Sequence, residues 1–412
     1  MQPLPVPTTA LASDTHPVLS VQNEATLLRS RSTTRSYVLH VAPGYWACEP
    51  RLYHLECVSL LSAGFQVQLA AHELPTDNLD SRLQFYSLGP FGYSLSWRMF
   101  TRFKRDRKAF NFAYHSNASL LHFHSLEFIT WASWLRRKIR KPVIFDCRED
   151  FESWARQRAG IPNLLRPLIA RSIRMQLHLA ARCCDAVIVA DEGTARLLEP
   201  HARRLIVLHN FPRLEFFPKL KVASNDRPYD LIYHGSVPKY HLDAILQIDT
   251  ALTSRGVSAV WRIFGMIAEE PWFRAQLEQR GIADRFMISG LIPHAQISAE
   301  LRKAKIGIIP LPNLPKFQNN IPQKLFEFMA LEIPVVMSDL PPSRPFVSGD
   351  GCAFRVPPDD YSAYADAIVR LLADSSLRSQ MGAEGRRRVE QQFNWAKEFP
   401  KLVGLYEELM TQ

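Results

Sequence analysis

The run SYVLHVA (36–42) is apolar almost without a break and stops at Pro43-Gly44. A stretch with helical periodicity follows, EPRLYHLECVSLLSAG, ending at Gly64, and then a second apolar run, FQVQLAA. Apolar runs of this length closed by turn residues are the pattern of strands covered on both faces, and a helix between two of them makes the βαβ unit of a parallel sheet. The alternation continues with SLLHFH (119–124), a helix over 126–138 and KPVIFDCRED (141–150). A helix over 164–183 carries Leu165, Ile169, Ile173, Leu177 and Ala180 on one face, and CDAVIVAD and RLIVLHN come next. Three prolines and a polar stretch in FPRLEFFPKLKVASNDRPYD (211–230) then interrupt the rhythm. It restarts with YDLIYHG, a helix over 242–255, SAVWRIFG, a helix over 271–280, FMISG, a helix over 295–303 and KIGIIPL. A helix opening at NNIPQK (319–324) leads into IPVVMSD, and helices over 361–373 and 376–391 follow. The last helix, 394–410, has no strand after it.

Two successive α/β repeats of similar size predict an α/β protein of two facing Rossmann-like domains. Residues 36–215 form the first and 229–393 the second, with a linker at 216–228 and a C-terminal helix, 394–412, that crosses back to the first. Residues 1–35 are rich in Pro, Thr and Ser, lack the basic-then-apolar order of a signal peptide, and read as a disordered tail. In open parallel sheets ligands bind beyond the carboxyl ends of the strands, so two facing sheets place a site between them.

Composition narrows the setting. With 47% hydrophobic residues in 412, a large core is affordable, but no run reaches the roughly 18 apolar residues of a membrane-spanning helix. Six cysteines without a CxxC pair suit a reducing cytosol, so the chain is expected in the cytoplasm. The formal charge of +10 lies almost wholly in the first half, where WRMFTRFKRDRKAF (97–110) and WLRRKIRKP (134–142) interleave basic and aromatic residues. Such segments suit an anionic membrane surface or an anionic substrate, with peripheral attachment to the inner face of the cytoplasmic membrane. No nucleic-acid recognition motif accompanies the charge, and nucleic acid is not an expected partner.

Candidate chemistry concentrates at one helix start. Lys324 and Glu327 open the helix after NNIPQ, on a segment that otherwise reads as core. A helix N-terminus carries partial positive charge and free N–H groups, which favours a diphosphate in front of it and a carboxylate in its first turn. Lys324, three residues before Glu327 and on the same face, reaches such a phosphate or pairs with Glu327. His122 and His124 share one face of their strand, a spacing that suits a metal. No third ligand follows at a recognisable interval, and no metal is expected. No Walker lysine loop, Ser/His/Asp order or paired-acid hydrolase pattern is present.

The C-terminal half resembles the GT-B glycosyltransferases of family 4, the glycosyl transferases group 1 type. The resemblance rests on DLIYHGSV, DRFMISGLIPHAQISAELRKAKIGIIPL, NNIPQKLFEFMALEIPVVMSD, GCAFRVPPDDYSAYADAIVRLLAD and FNWAKEFPKLVGLYEEL in series. It implies a GT-B fold and transfer of a sugar from a GDP- or UDP-sugar donor to a saccharide or lipid-linked acceptor in polysaccharide biosynthesis. Retention of anomeric configuration and no cofactor beyond the nucleotide-sugar co-substrate are also implied. Donor contacts implied on this sequence are Glu327 to the ribose, Gly235 beneath the diphosphate, Ile292-Pro293 at the base, and Asn319, with Asn320 as its neighbour, at the sugar. Where the family carries a phosphate-holding arginine this chain has His241, so either Lys239 supplies that charge or phosphate holding is weaker, and Lys239 is the expectation. In the first domain Arg148 replaces a family histidine that touches the donor sugar. Arg148, Glu149 and Asn319 are the expected catalytic residues, Asp150 an acceptor-site candidate and Asp146 architectural. The turn Gly44-Tyr45-Trp46 and His124 are expected beside the acceptor. The replacements at Arg148 and His241 leave two other readings open: a non-catalytic scaffold binding glycan, membrane or a partner enzyme, and a sugar-nucleotide epimerase or hydrolase of the same fold.

Overall fold

The computed structural model describes residues 37–73, 79–90, 98–157, 161–219, 227–347, 349 and 351–411. The expected tail, most of the linker and Trp97 lie outside them. The first half runs β1 (Tyr37–Trp46), a wide π-type helix Pro50–Cys57 continuing as α1 (Val58–Ser62), β2 (Gln66–Glu73), β3 (Gln84–Pro90), α2 (Arg98–His115) and β4 (Leu120–Phe123). It continues with α3 (Ile129–Ile139), β5 (Val143–Cys147), α4 (Phe151–Gln157), α5 (Arg166–Cys183), β6 (Ala186–Val189), α6 (Glu192–Leu198) and β7 (Leu205–Val207). The second half runs β8 (Tyr229–Val237), α7 (Lys239–Thr253), β9 (Trp261–Ile267), α8 (Glu270–Gln279), β10 (Phe286–Ser289), α9 (His294–Leu301) and β11 (Ala304–Ile309). After it come α10 (Gln323–Ala330), β12 (Val335–Ser338), β13 (Ala353–Val356), α11 (Tyr361–Ala373), α12 (Ser375–Gln391) and α13 (Trp395–Thr411).

Each half is one parallel sheet, ordered β3-β2-β1-β4-β5-β6-β7 in the first and β10-β9-β8-β11-β12-β13 in the second. Strand order reverses between β1 and β4 and between β8 and β11, the switch points beyond which such sheets hold ligands. Strands β4, β5, β6 and β12 are buried at every position, which is why they read as unbroken apolar runs. Helices cover both faces, and each sheet has a core on either side.

Helices α4 and α6, strands β3 and β13 and helix α2 were not foreseen. Strand β3 is a half-buried edge strand and β13 a four-residue one, so neither gives a long apolar run. The segment read as a basic stretch is helix α2: Ala109, Phe110 and Ala113 pack into the first core, while Lys104, Arg107 and Lys108 face solvent.

Helix α13 leaves the second half and buries Trp395, Leu402, Leu405, Tyr406 and Leu409 in the first-half core. Its start is fixed by the Trp395 indole N–H donating to Ser59 Oγ at 2.8 Å and the Trp395 backbone N–H donating to Pro212 O at 3.0 Å. Phe211 and Phe217, on the segment between the halves, pack instead in the second-half core.

Candidate active site

The second-half wall is built where β8 ends. Gly235 has φ of +99°, and its neighbour Gly265 (φ +130°) lies so close that a Cβ there would sit 2.0 Å from the Gly235 carbonyl oxygen. Only glycine fits either position, and the backbone at the end of β8 is left bare. Helix α10 begins beside it, after Pro322, and buries Leu325 to Ala330. Of its polar side chains, Lys324 places Nζ 3.8 Å from the centroid of the Tyr233 ring and 3.9 Å from where a Gly235 Cβ would be. Among the described residues Lys324 makes no ion pair; burial lowers its ammonium pKa to about 7, with Glu327 acting against the shift.

Glu327, 9% exposed, faces His234 Nε2 at 3.1 Å and accepts from Gln323 Nε2 at 3.3 Å. Burial would raise its carboxyl, but His234, His294 and Lys324 more than offset that and hold it below its ordinary value. His294, at the start of α9 directly after Ile292-Pro293, stacks on His54 of the first half with centroids 4.0 Å apart and planes 14° apart. Burial keeps both imidazoles unprotonated at neutral pH, His54 being lowered to about 3. His241 is buried, hydrogen-bonded through Nδ1 to the Tyr233 hydroxyl at 2.5 Å, and lowered to about 2 by burial and by Lys324. It is a neutral group and cannot take over the charge of a phosphate-holding arginine.

Lys239 does not supply that charge in this arrangement either. Its ammonium pairs with Asp243 at 3.2 Å, lies over the Trp272 ring at 3.8 Å and is half exposed. The cation beside Gly235 is Lys324.

The first-half wall centres on Asp146, at the end of β5. Asp146 accepts from Arg51 Nε at 3.0 Å, from Arg148 Nε at 3.2 Å, and meets His124 Nδ1 at 3.1 Å. Burial would raise its carboxyl; Arg51, Arg148 and His124 hold it well below the usual range. Arg148 also pairs with Glu49, contacts His124 Nδ1 at 2.7 Å and faces the Tyr45 ring at 4.9 Å. Its charge is thus spent within its own domain, although the residue still borders the space between the halves. Two acceptor-side expectations need correcting. His124 has no exposed surface and belongs to this buried network, and Tyr45 is committed to Arg148. Gly44 donates its N–H to Ser125 Oγ at 2.9 Å, and Trp46 pairs opposite His72 at the end of β1.

The halves meet through these same loops. Asn319 Nδ2 donates to Asp150 Oδ2 at 3.0 Å, and Lys316 Nζ lies 3.5 Å from Glu149 Oε2. Gly193 of α6 approaches so closely that a Cβ there would fall 2.4 Å from the Asn319 carbonyl oxygen. Between the walls is a cavity of about 140 Å³ bordered by Arg148, Glu149, Asp191, His209, Asn320 and Gln323. The Asn320 side-chain oxygen is buried there without a hydrogen-bond partner. His209 is held protonated: burial lowers its pKa, but Glu192 (3.0 Å) and Glu398 (3.4 Å) raise it to about 9. A second cavity, about 390 Å³, opens on Glu149 and Asp150 from the first-half side, with Cys147, Glu152, Leu177 and Thr194 on its walls. Glu149 borders both cavities.

Sequence reading missed His234, His294, His54 and His209. The first two adjoin motifs already singled out, YHG and IPH, and were within reach; the other two depend on how the halves meet.

A parallel pair of doubly wound sheets joined by a returning C-terminal helix is the GT-B glycosyltransferase fold. Sucrose-phosphate synthase from Thermosynechococcus elongatus superposes with a TM-score of 0.72 at 17% identity, covering 92% of this chain and 100% of that one. Anabaena HepE in complex with UDP-glucose gives 0.66 at 12% identity, covering 91% and 100%. Residues 228–374, in the second half, match the family model described as Glycosyl transferases group 1. In sequence the chain is 25% identical over 190 residues to alpha-D-kanosaminyltransferase of Streptomyces kanamyceticus, covering 45% of this chain and 47% of that protein. It is 30% identical over 131 residues to phosphatidyl-myo-inositol mannosyltransferase of Mycobacterium leprae, covering 32% and 34%. The matches thus span less than half the length of these curated relatives. No helix among the described residues is long and apolar enough to cross a membrane.

Proposed function

We propose that the protein is a retaining glycosyltransferase that moves a hexosyl group from a nucleotide-sugar donor to a saccharide or lipid-linked acceptor. The observation that carries this reading is the unpaired Lys324 ammonium beside the bare Gly235 backbone, with the ionised Glu327 one turn along the same helix. Glu327 accepts the two ribose hydroxyls, while the diphosphate lies at the N-terminus of α10 against Gly235 and Lys324. As the bond from the anomeric carbon to the diphosphate oxygen breaks, negative charge grows on the leaving group. The ammonium and the free N–H groups of the helix start are already aimed there. The acceptor enters through the larger cavity and reaches the anomeric carbon past Glu149, from the face the diphosphate leaves. The leaving oxygen takes the proton of the incoming hydroxyl, so that configuration is kept.

An anionic membrane surface is the proposed site of work. Helix α5 exposes Leu168 (66%), Met175 (64%) and Leu179 beside Arg171, Arg174 and Arg182, and Leu164 and Leu165 precede it on the surface. Apolar and basic groups on one exposed helix suit the headgroup region of such a bilayer. A lipid-linked acceptor would be met there.

The test is donor-dependent nucleotide release with and without acceptor, over UDP- and GDP-sugars, beginning with UDP-glucose. The wild-type chain is expected to bind a donor and to release nucleotide faster with acceptor. Glu327→Gln is expected to lower donor use by about 10- to 150-fold, because a hydrogen bond to a charged group is worth about 1.5–3 kcal/mol. No donor binding at all would favour a scaffold, and release indifferent to acceptor would favour a hydrolase.

A further inference from the structure

Four side chains that sugar transfer does not use converge inside the first half, at its own switch point. His40 lies on β1 opposite His122 on β4, His124 follows two residues on, and Glu56 reaches them from the π-type helix. All four are completely buried. Glu56 Oε2 is 3.7 Å from His40 Nδ1, 3.9 Å from His122 Nδ1 and 3.7 Å from His124 Nε2, and His40 Nδ1 is 2.9 Å from His124 Nε2. One donor atom from each residue falls within 4.8 Å of the other three.

We propose that His40, His122, His124 and Glu56 bind a divalent transition-metal ion, zinc by its ligand set, as a structural centre beneath the cleft. Bonds of about 2.0–2.1 Å in a tetrahedron put donor atoms roughly 3.3–3.4 Å apart, in the middle of the observed separations. A hydrogen-bonded cluster fits less well. The Glu56 oxygens accept no hydrogen bond, and every imidazole nitrogen facing Oε2 stands beyond hydrogen-bond reach. Arg51 Nε, 2.9 Å from Oε1, balances the carboxylate without leaving it a donor on the imidazole side. A cation shared with three imidazoles would engage the Glu56 oxygen that faces them and has no hydrogen bond among the described residues.

The surroundings are those of a ligand shell. His124 Nδ1 lies 3.1 Å from Asp146, a carboxylate behind this imidazole, and 2.7 Å from Arg148 Nη2, so ligation through Nε2 puts the proton on Nδ1 toward Asp146 and requires the Arg148 contact to move; His40 Nε2 lies 3.4 Å from the Tyr406 hydroxyl. The same hydroxyl is 2.6 Å from His122 Nδ1, and His122 Nε2 has no partner, so one nitrogen of this ring is available once the phenol turns to His40. Three nitrogens and one oxygen in a closed tetrahedron select zinc, and no fifth position is left for substrate. The third and fourth ligands were invisible to spacing alone: His40 stands 84 residues before His124.

The test uses the untagged full chain, produced in zinc-supplemented medium and passed through EDTA and gel filtration. Elemental analysis is expected to find about one zinc per chain, with X-ray absorption reporting three nitrogens and one oxygen at about 2.0–2.1 Å. Because His40→Gln and Glu56→Gln variants can fail to fold, wild-type chain is also unfolded with chelator and refolded with or without one equivalent of zinc. Zinc is expected to raise both the refolded yield and the Tm. Zinc below about a tenth of an equivalent in the purified chain, together with refolding indifferent to zinc, would overturn the proposal. So would one equivalent of zinc retained unchanged by a folded His40→Gln variant.

Discussion

The two walls of the cleft handle charge in opposite ways. On the first-half wall Arg51 and Arg148 are both saturated by Asp146, Glu49 and Glu56, within one buried network. On the second-half wall Glu327 is matched to His234, while Lys324, over the face of Tyr233, makes no ion pair among the described residues. A cation already spent on neighbours supports architecture; one held half-buried without a carboxylate is poised for an anion that arrives later. The difference separates two arginines and a lysine that composition counts alike.

The largest effect expected from breaking this contrast is at Lys324. Lys324→Ala should lower turnover by about 10²- to 10³-fold, the usual loss on removing one preorganised group aimed at transition-state charge, with fold and Tm little changed. Steady-state kinetics with whichever donor the nucleotide-release screen selects checks it, and an unchanged kcat would mean that the leaving group is stabilised elsewhere.

A smaller effect comes from pH. The Lys324 ammonium titrates near pH 7 before donor binds, and a bound diphosphate raises its pKa, so donor binds the protonated form preferentially. Affinity for a nucleotide-sugar, whose diphosphate does not titrate in this range, should be level below pH 7. Above it, affinity should fall by up to about tenfold per unit, a limit set by the loss of one proton. Calorimetric Kd values from pH 6 to 9 would show it, and Lys324→Ala should flatten the profile.

The smallest effect is at Lys239. Its half-exposed pair with Asp243 is worth about 0.3–0.5 kcal/mol at most, so Lys239→Ala should leave Tm within a degree or two and donor Kd within about twofold. A tenfold weaker Kd would return the phosphate-holding role to Lys239.

Much of the frame was legible in the chain itself. Strands buried on both faces announce themselves as apolar runs, as in KPVIFDCRED, and a helix start with a cation and a carboxylate on one face needs only local geometry to be noticed. Edge strand β3 was missed because partial burial does not demand an apolar run, and β13 because Arg355 interrupts its four residues. Helix α2 was hidden by its basic face. Position along the chain says nothing about which way a first-turn side chain such as Lys239 leans, and here Trp272 and Asp243 decide it. Alternation places His122 and His124 on one strand face, but only the order of strands in the sheet brings His40 beside them. Likewise, His54 and His294, 240 residues apart in sequence, become neighbours only when the two sheets are set against each other.

The polypeptide crosses from one half to the other twice, once after β7 and again before α13, and the crossings are stitched side by side by the Trp395 N–H and the Pro212 carbonyl. A single tether would let the lobes swivel in any direction. Two tethers fastened to each other would act as a door hinge, confining any opening of the halves to a swing about that seam.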